Sequence, residues 1–130
     1  MEAISKAISK VIEVKIGDEK IKVEKLALGK YAKLLIALKN LPKSAIKDIQ
    51  NLDTDDNEGS ILFLIGLFGE AWEQIVEIIS IGSGVDKDRL MNDSSIGLEG
   101  GIELFLAIYE VNNLKNVVQS VKNALTRGKV

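Results

Sequence analysis

The chain has 130 residues, 46 % of them hydrophobic and 28 % charged, with 11 Gly, 1 Pro, no Cys and no His. That composition fits one globular domain. It excludes an imidazole base, a thiol nucleophile, a disulfide framework and a zinc site built from the usual nitrogen and sulfur ligands.

The formal charge of −2 hides three blocks: +5 over residues 1–50, −11 over residues 51–110 and +4 over residues 111–130. Opposed blocks steer a molecule toward copies of itself or toward a partner with matching patches, so protein binding is the leading expectation. Met1 to Lys10 contains Glu2, Lys6 and Lys10 and no long apolar run. It does not read as a secretory signal, and a cytoplasmic location is expected.

Val11-Ile-Glu-Val-Lys-Ile16 alternates, and after Gly17-Asp18 the alternation resumes at Ile21 and Val23. Gly at the turn permits a tight reversal, so residues 11–24 are predicted to form an antiparallel hairpin. A lone hairpin is marginal in water, and the helix that follows is expected to supply its platform. From Leu28 to Leu41 the spacing changes to 3.6: Leu28, Tyr31, Leu34, Leu35 and Leu38 form a stripe, with Lys30 and Lys33 on the other side. Pro42 ends this helix and opens a short one with Ile46 and Ile49 inward.

Asn51 to Gly59 is acidic and turn-rich and is predicted to be a loop. Its Asp53, Asp55 and Asn57 stand at the first, third and fifth positions of a calcium loop. Glu58 replaces the required Gly and Leu64 the required Glu, so a solvated turn is expected instead.

A central helix is predicted from about Ser60 to Ile81. Ile61 to Phe68 is its most apolar part, but Glu70 and Glu73 interrupt it well short of a membrane span, so no membrane contact is expected. On a continuous wheel Glu70, Glu73 and Glu77 fall within about 60° of one another. Trp72 points into the apolar arc, and Phe63 falls on the wet side. Phe63 is therefore the candidate interface anchor and Trp72 a core residue.

Acidic rows of this kind bind magnesium in all-α nucleotide pyrophosphohydrolases, but the facing Glu-x-x-Asp pair is missing, since neither Glu99, Glu103 nor Glu110 has Asp at that spacing. No metal or other cofactor is expected.

Gly82-Ser-Gly84 is predicted to stop the central helix, with Asp86 capping a short one through Met91. A helix over about Leu98–Val111 directs Ile102, Phe105, Ile108 and Tyr109 inward. A last one, over about Leu114–Leu125, carries Leu114, Val117, Val118, Val121 and Leu125. The glycine clusters match no nucleotide-binding fingerprint and are read as helix ends. The lysines lack interleaved aromatics, and with a pI near 5.2 nucleic-acid binding is not expected. The predicted fold is mainly α, of the α+β type. It is a single domain of about five to six helices over residues 28–126 behind a short N-terminal β-hairpin.

The hairpin Val14 to Val23 is followed by Leu26-x-Leu28-Gly-Lys-Tyr31, Leu41-Pro, and a long apolar helix ending Ile78-Ile-Ser. Val85-Asp-Lys-Asp-Arg-Leu and Ala107-Ile-Tyr-Glu-Val-Asn112 complete an order that resembles the tail assembly chaperones of long-tailed bacteriophages and prophages over residues 11–120. The resemblance implies a non-enzymatic, cytoplasmic protein that is absent from the mature virion. Such a protein binds the tape measure protein, helps recruit tail tube protein and self-associates. Candidate partner-binding residues are Phe63, Glu70, Glu73, Glu77, Lys30 and Lys33. The alternative is a small helical adaptor or regulator of a phage or host protein.

Overall fold

The computed structural model describes residues 11–50 and 57–127, so the first ten residues and the calcium-like stretch at 53–56 lie outside the described residues. Strand β1 (Val11–Ile16) pairs antiparallel with β2 (Glu19–Glu24), placing Val14 opposite Ile21 and Ile12 opposite Val23. Gly17 opens the two-residue turn at φ +60°, a left-handed conformation that costs residues with a Cβ.

Six helices follow among the described residues: α1 (Leu28–Lys39), α2 (Lys43–Gln50), α3 (Asn57–Ser83), α4 (Lys87–Asn92), α5 (Gly97–Val111) and α6 (Leu114–Arg127). The domain is therefore mainly α with one N-terminal hairpin, as the change of period from 2 to 3.6 requires. No described helix is long and apolar enough to cross a membrane.

The centre of the fold is α5. It buries Leu104, Phe105 and Ile108 completely and packs on α3, α6 and both strands. The hairpin lays Val14, Ile16, Ile21 and Val23 against this core. Its platform is mainly α5, with α3 under β2, rather than the α1 that follows it in sequence.

Two glycines make these approaches possible. A Cβ at Gly100 would lie 2.8 Å from Ile16 Cδ1, and one at Gly82 would lie 2.6 Å from both Cδ1 and Cγ2 of Ile108. Gly82 lies in the last turn of α3 and Gly100 in the first turn of α5, so both glycine clusters stand at helix ends, as expected. Within these clusters Gly84 (φ +79°) and Gly97 (φ +57°) adopt the left-handed conformation of a chain reversal.

A polar corner joins α5 to α6. Asn112 is 2 % exposed; its Oδ1 accepts from the Leu26 amide at 3.0 Å, and its Nδ2 donates to the Ile108 carbonyl at 3.2 Å. The Tyr31 hydroxyl donates to the Asn112 carbonyl at 2.6 Å, and Tyr109 donates to the Ile49 carbonyl at 2.9 Å. Burial pushes both phenols above their ordinary pKa. Through these bonds the α5 end fixes the start of α1 and the end of α2.

Several local expectations change. Leu28 opens α1 beyond the edge of the core and is 87 % exposed, while Leu34 and Leu38 are buried as its stripe predicts. Asp86 occupies the N-cap of α4 without a side-chain cap; the carboxylate that caps a turn is Asp93, which accepts from the Ser95 amide and hydroxyl. In α6, Leu114 is buried and Val117 packs on the core, while the side chains of Val118, Val121 and Leu125 lie outside those described.

The largest correction is in α3. Ala71 has φ −139° and ψ 44°, so the helix is kinked there. Gly66 and Gly69 stand just before the break, each about 1 kcal/mol poorer than Ala as a helix former, and such glycines are a recognised cause of kinks.

Candidate functional site

The buried face of α3 runs as one stripe through the kink, with Phe63 and Trp72 just beyond its two edges. Up to the kink, Leu64, Leu67 and Ala71 are buried; after it, Ile75, Ile78 and Ile79 are. A wheel carried straight through puts Trp72 in the core and Phe63 outside. The structure does the reverse: Phe63 packs partly buried against the core, and Trp72 is 45 % exposed. The expectation of Phe63 as an exposed anchor is therefore corrected, and the exposed aromatic is Trp72.

Trp72 stands in an open groove of about 500 Å³ built from three helices. Helix α1 contributes Lys33, Ile36 and Asn40 at helical spacing, and α4 contributes Lys87 and Met91, one turn apart. Helix α3, which touches both, contributes Trp72, Glu73, Val76 and Glu77. Ile36 is 61 % exposed and Met91 47 %. Single exposed apolar residues are normal on a protein surface; three from separate helices facing one hollow form a patch of the kind that marks contact sites.

The charges around the patch are balanced. Lys87 forms a close ion pair with Glu77. Lys33 and Glu73 form no ion pair among the described residues, although both line the groove.

The α4 wall buries none of its residues completely, so its position depends on polar contacts. Arg89 donates from Nη2 and Nη1 to Glu19 of β2, at 2.5 and 3.2 Å, and from Nε to Asp93 at 3.1 Å. The hydrogen bond from Arg89 holds Glu19 below the usual carboxylate range and in turn raises the guanidinium pKa. Asp93 is lowered first by the Ser95 hydroxyl and amide, then by Arg89. This fork sets one wall of the groove against the hairpin.

Of the residues singled out from sequence, the groove brings together Lys33, Glu73 and Glu77. Lys30 and Glu70 are exposed but do not line it, and Phe63 belongs to the core side of α3. Ile36, Met91, Lys87 and Trp72 were not anticipated as contact residues. Ile36 carried a signal, standing three residues after Lys33 on the polar side of α1. No group of three or more acidic residues among the described residues could hold a metal ion.

A second hollow of about 410 Å³ lies at the Asn112 corner, where the Tyr31 hydroxyl is already committed to a backbone carbonyl. In comparisons with known proteins the chain has no significant match to a family model, a curated protein or a solved structure.

Proposed function

We propose that this is a non-enzymatic binding protein that covers an apolar segment of another chain with the α1/α3/α4 groove. Following the resemblance in element order over residues 11–120, we assign it the role of a phage tail assembly chaperone. It acts in the host cytoplasm on the tape measure protein, helps to recruit tail tube subunits and does not remain in the mature virion.

The observation that carries the binding reading is the convergence of Ile36, Trp72 and Met91, all exposed, in one groove whose rim holds both signs of charge. Such a surface suits an amphipathic helix laid into an apolar trough. Trp72 dominates it. Covering the exposed 45 % of an indole, roughly 100 Å², contributes about 2–3 kcal/mol.

Co-expression tests the assignment. The protein is expected to keep a tape measure protein in the soluble fraction, and Trp72→Ala is expected to weaken that complex by about thirtyfold to a hundredfold. An unchanged solubility of the tape measure protein refutes the chaperone role. A stoichiometric complex with a protein that is not a tail component would instead favour an adaptor.

A further inference from the structure

The groove is electrically self-matching. Its rim holds Lys33 and Lys87 against Glu73 and Glu77, so the lining has no net charge to repel a second copy or to select a partner of single sign. Glu77 and Lys87 satisfy each other. Lys33 on α1 and Glu73 on α3 have no ionic partner among the described residues. Each is preceded three residues earlier by an exposed residue of the same charge, Lys30 and Glu70, so a basic row and an acidic row run along neighbouring helices.

We propose that the resting occupant of this groove is a second copy of the chain, seated groove to groove about a twofold axis. In a twofold contact residue i meets j while j meets i, so one surface must carry both members of every pair. This surface does. The rotation sets Lys33 of each copy opposite Glu73 of the other, giving two reciprocal ion pairs. The α1 ridge of each copy, with Ile36 leading, enters the trough of the other over Trp72 and Met91. The three exposed apolar side chains of each copy are then covered, and Lys33 and Glu73 of each gain the ionic partner they lack among the described residues of the monomer. The pairing stands independently of the tail assembly assignment, and any partner segment using the groove must displace the second copy.

The test is a dilution series followed by sedimentation and light scattering on four proteins: the wild type, Lys33→Glu, Glu73→Lys and the double swap. Circular dichroism checks that the exposed substitutions leave the helices formed. The wild type is expected to dimerise. Each single swap places like charges opposite one another twice and should raise the dimer dissociation constant by at least about tenfold. The double swap should return it to within about threefold of wild type, because both pairs re-form with signs reversed. Trp72 is the only Trp in the chain, so its emission should move to shorter wavelength as the dimer forms. A protein monomeric at every concentration, a dimer indifferent to the single swaps, or a double swap as weak as the singles would each overturn the proposal.

Discussion

The closest approach in the core makes one glycine-to-alanine change harmful and another helpful. A methyl at Gly82 would stand 2.6 Å from Cδ1 and Cγ2 of Ile108 and 2.7 Å from its Cγ1, where ordinary contact begins near 3.4 Å. Ile108 is fully buried and β-branched, so three of its carbons crowd the site at once and no free rotamer removes them all. Overpacking of this kind costs about 1–3 kcal/mol, against about 1 kcal/mol gained from replacing Gly by Ala within a helix. Gly82→Ala should therefore lose up to about 2 kcal/mol.

Gly66 has nothing within 4 Å of the same position and is exposed, so Gly66→Ala should gain about 0.5–1 kcal/mol. Thermal unfolding followed by circular dichroism measures both, with expected Tm shifts of up to about 8 °C downward and about 2–4 °C upward. The Gly82→Ala loss should shrink when Ile108 is also cut back to Val. Equal gains at the two glycines would refute the packing of α3 on α5.

Three further outcomes follow from the polar contacts. Asn112→Ala removes the acceptor of the part-buried Leu26 amide and should cost about 1–2 kcal/mol in urea unfolding. Glu19 and Asp93 have lowered pKa values in the fold, so their contribution is present above their ordinary pKa values near 4.5 and 3.8 and is lost as the pH falls through the folded values. Arg89→Gln should flatten this acid limb of the stability curve and leave the neutral range less affected. Tyr31 and Tyr109 have raised values, so their contribution holds below the ordinary value of 10.0 and declines as the pH rises through the folded ones. Tyr31→Phe should reduce that alkaline decline, read by unfolding in parallel with phenolate absorbance.

The sequence carried those features that depend on a local period. Val14, Ile16, Ile21 and Val23 alternate and are buried together. Leu34 and Leu38 recur at helical spacing and are buried; so do Ile102, Phe105, Ile108 and Tyr109. What failed is what a fixed period cannot express. Phe63 and Trp72 lie at opposite edges of the buried stripe of α3, and which edge the rest of the fold covers is set by tertiary packing rather than by the period. The groove is made by helices distant in the chain, so Lys33, Glu73 and Glu77 could be marked individually but not seen to converge. Ile36 and Met91 acquire their role only from that convergence. Asn112 falls between two predicted helices, and its bond to an amide 86 positions away is a tertiary fact.

That bond also fixes an order of events during synthesis. The hairpin and α1 leave the ribosome well before the Asn112 acceptor for Leu26 and the α5 surface under both strands are made. Residues 11–39 therefore have their greasy faces uncovered until about residue 112 has emerged, and closing so long a loop is slow compared with forming any of its helices. We expect ribosome-bound chains that stop short of Asn112 to remain protease-sensitive throughout residues 11–39, and chains that expose it to become resistant in a single step.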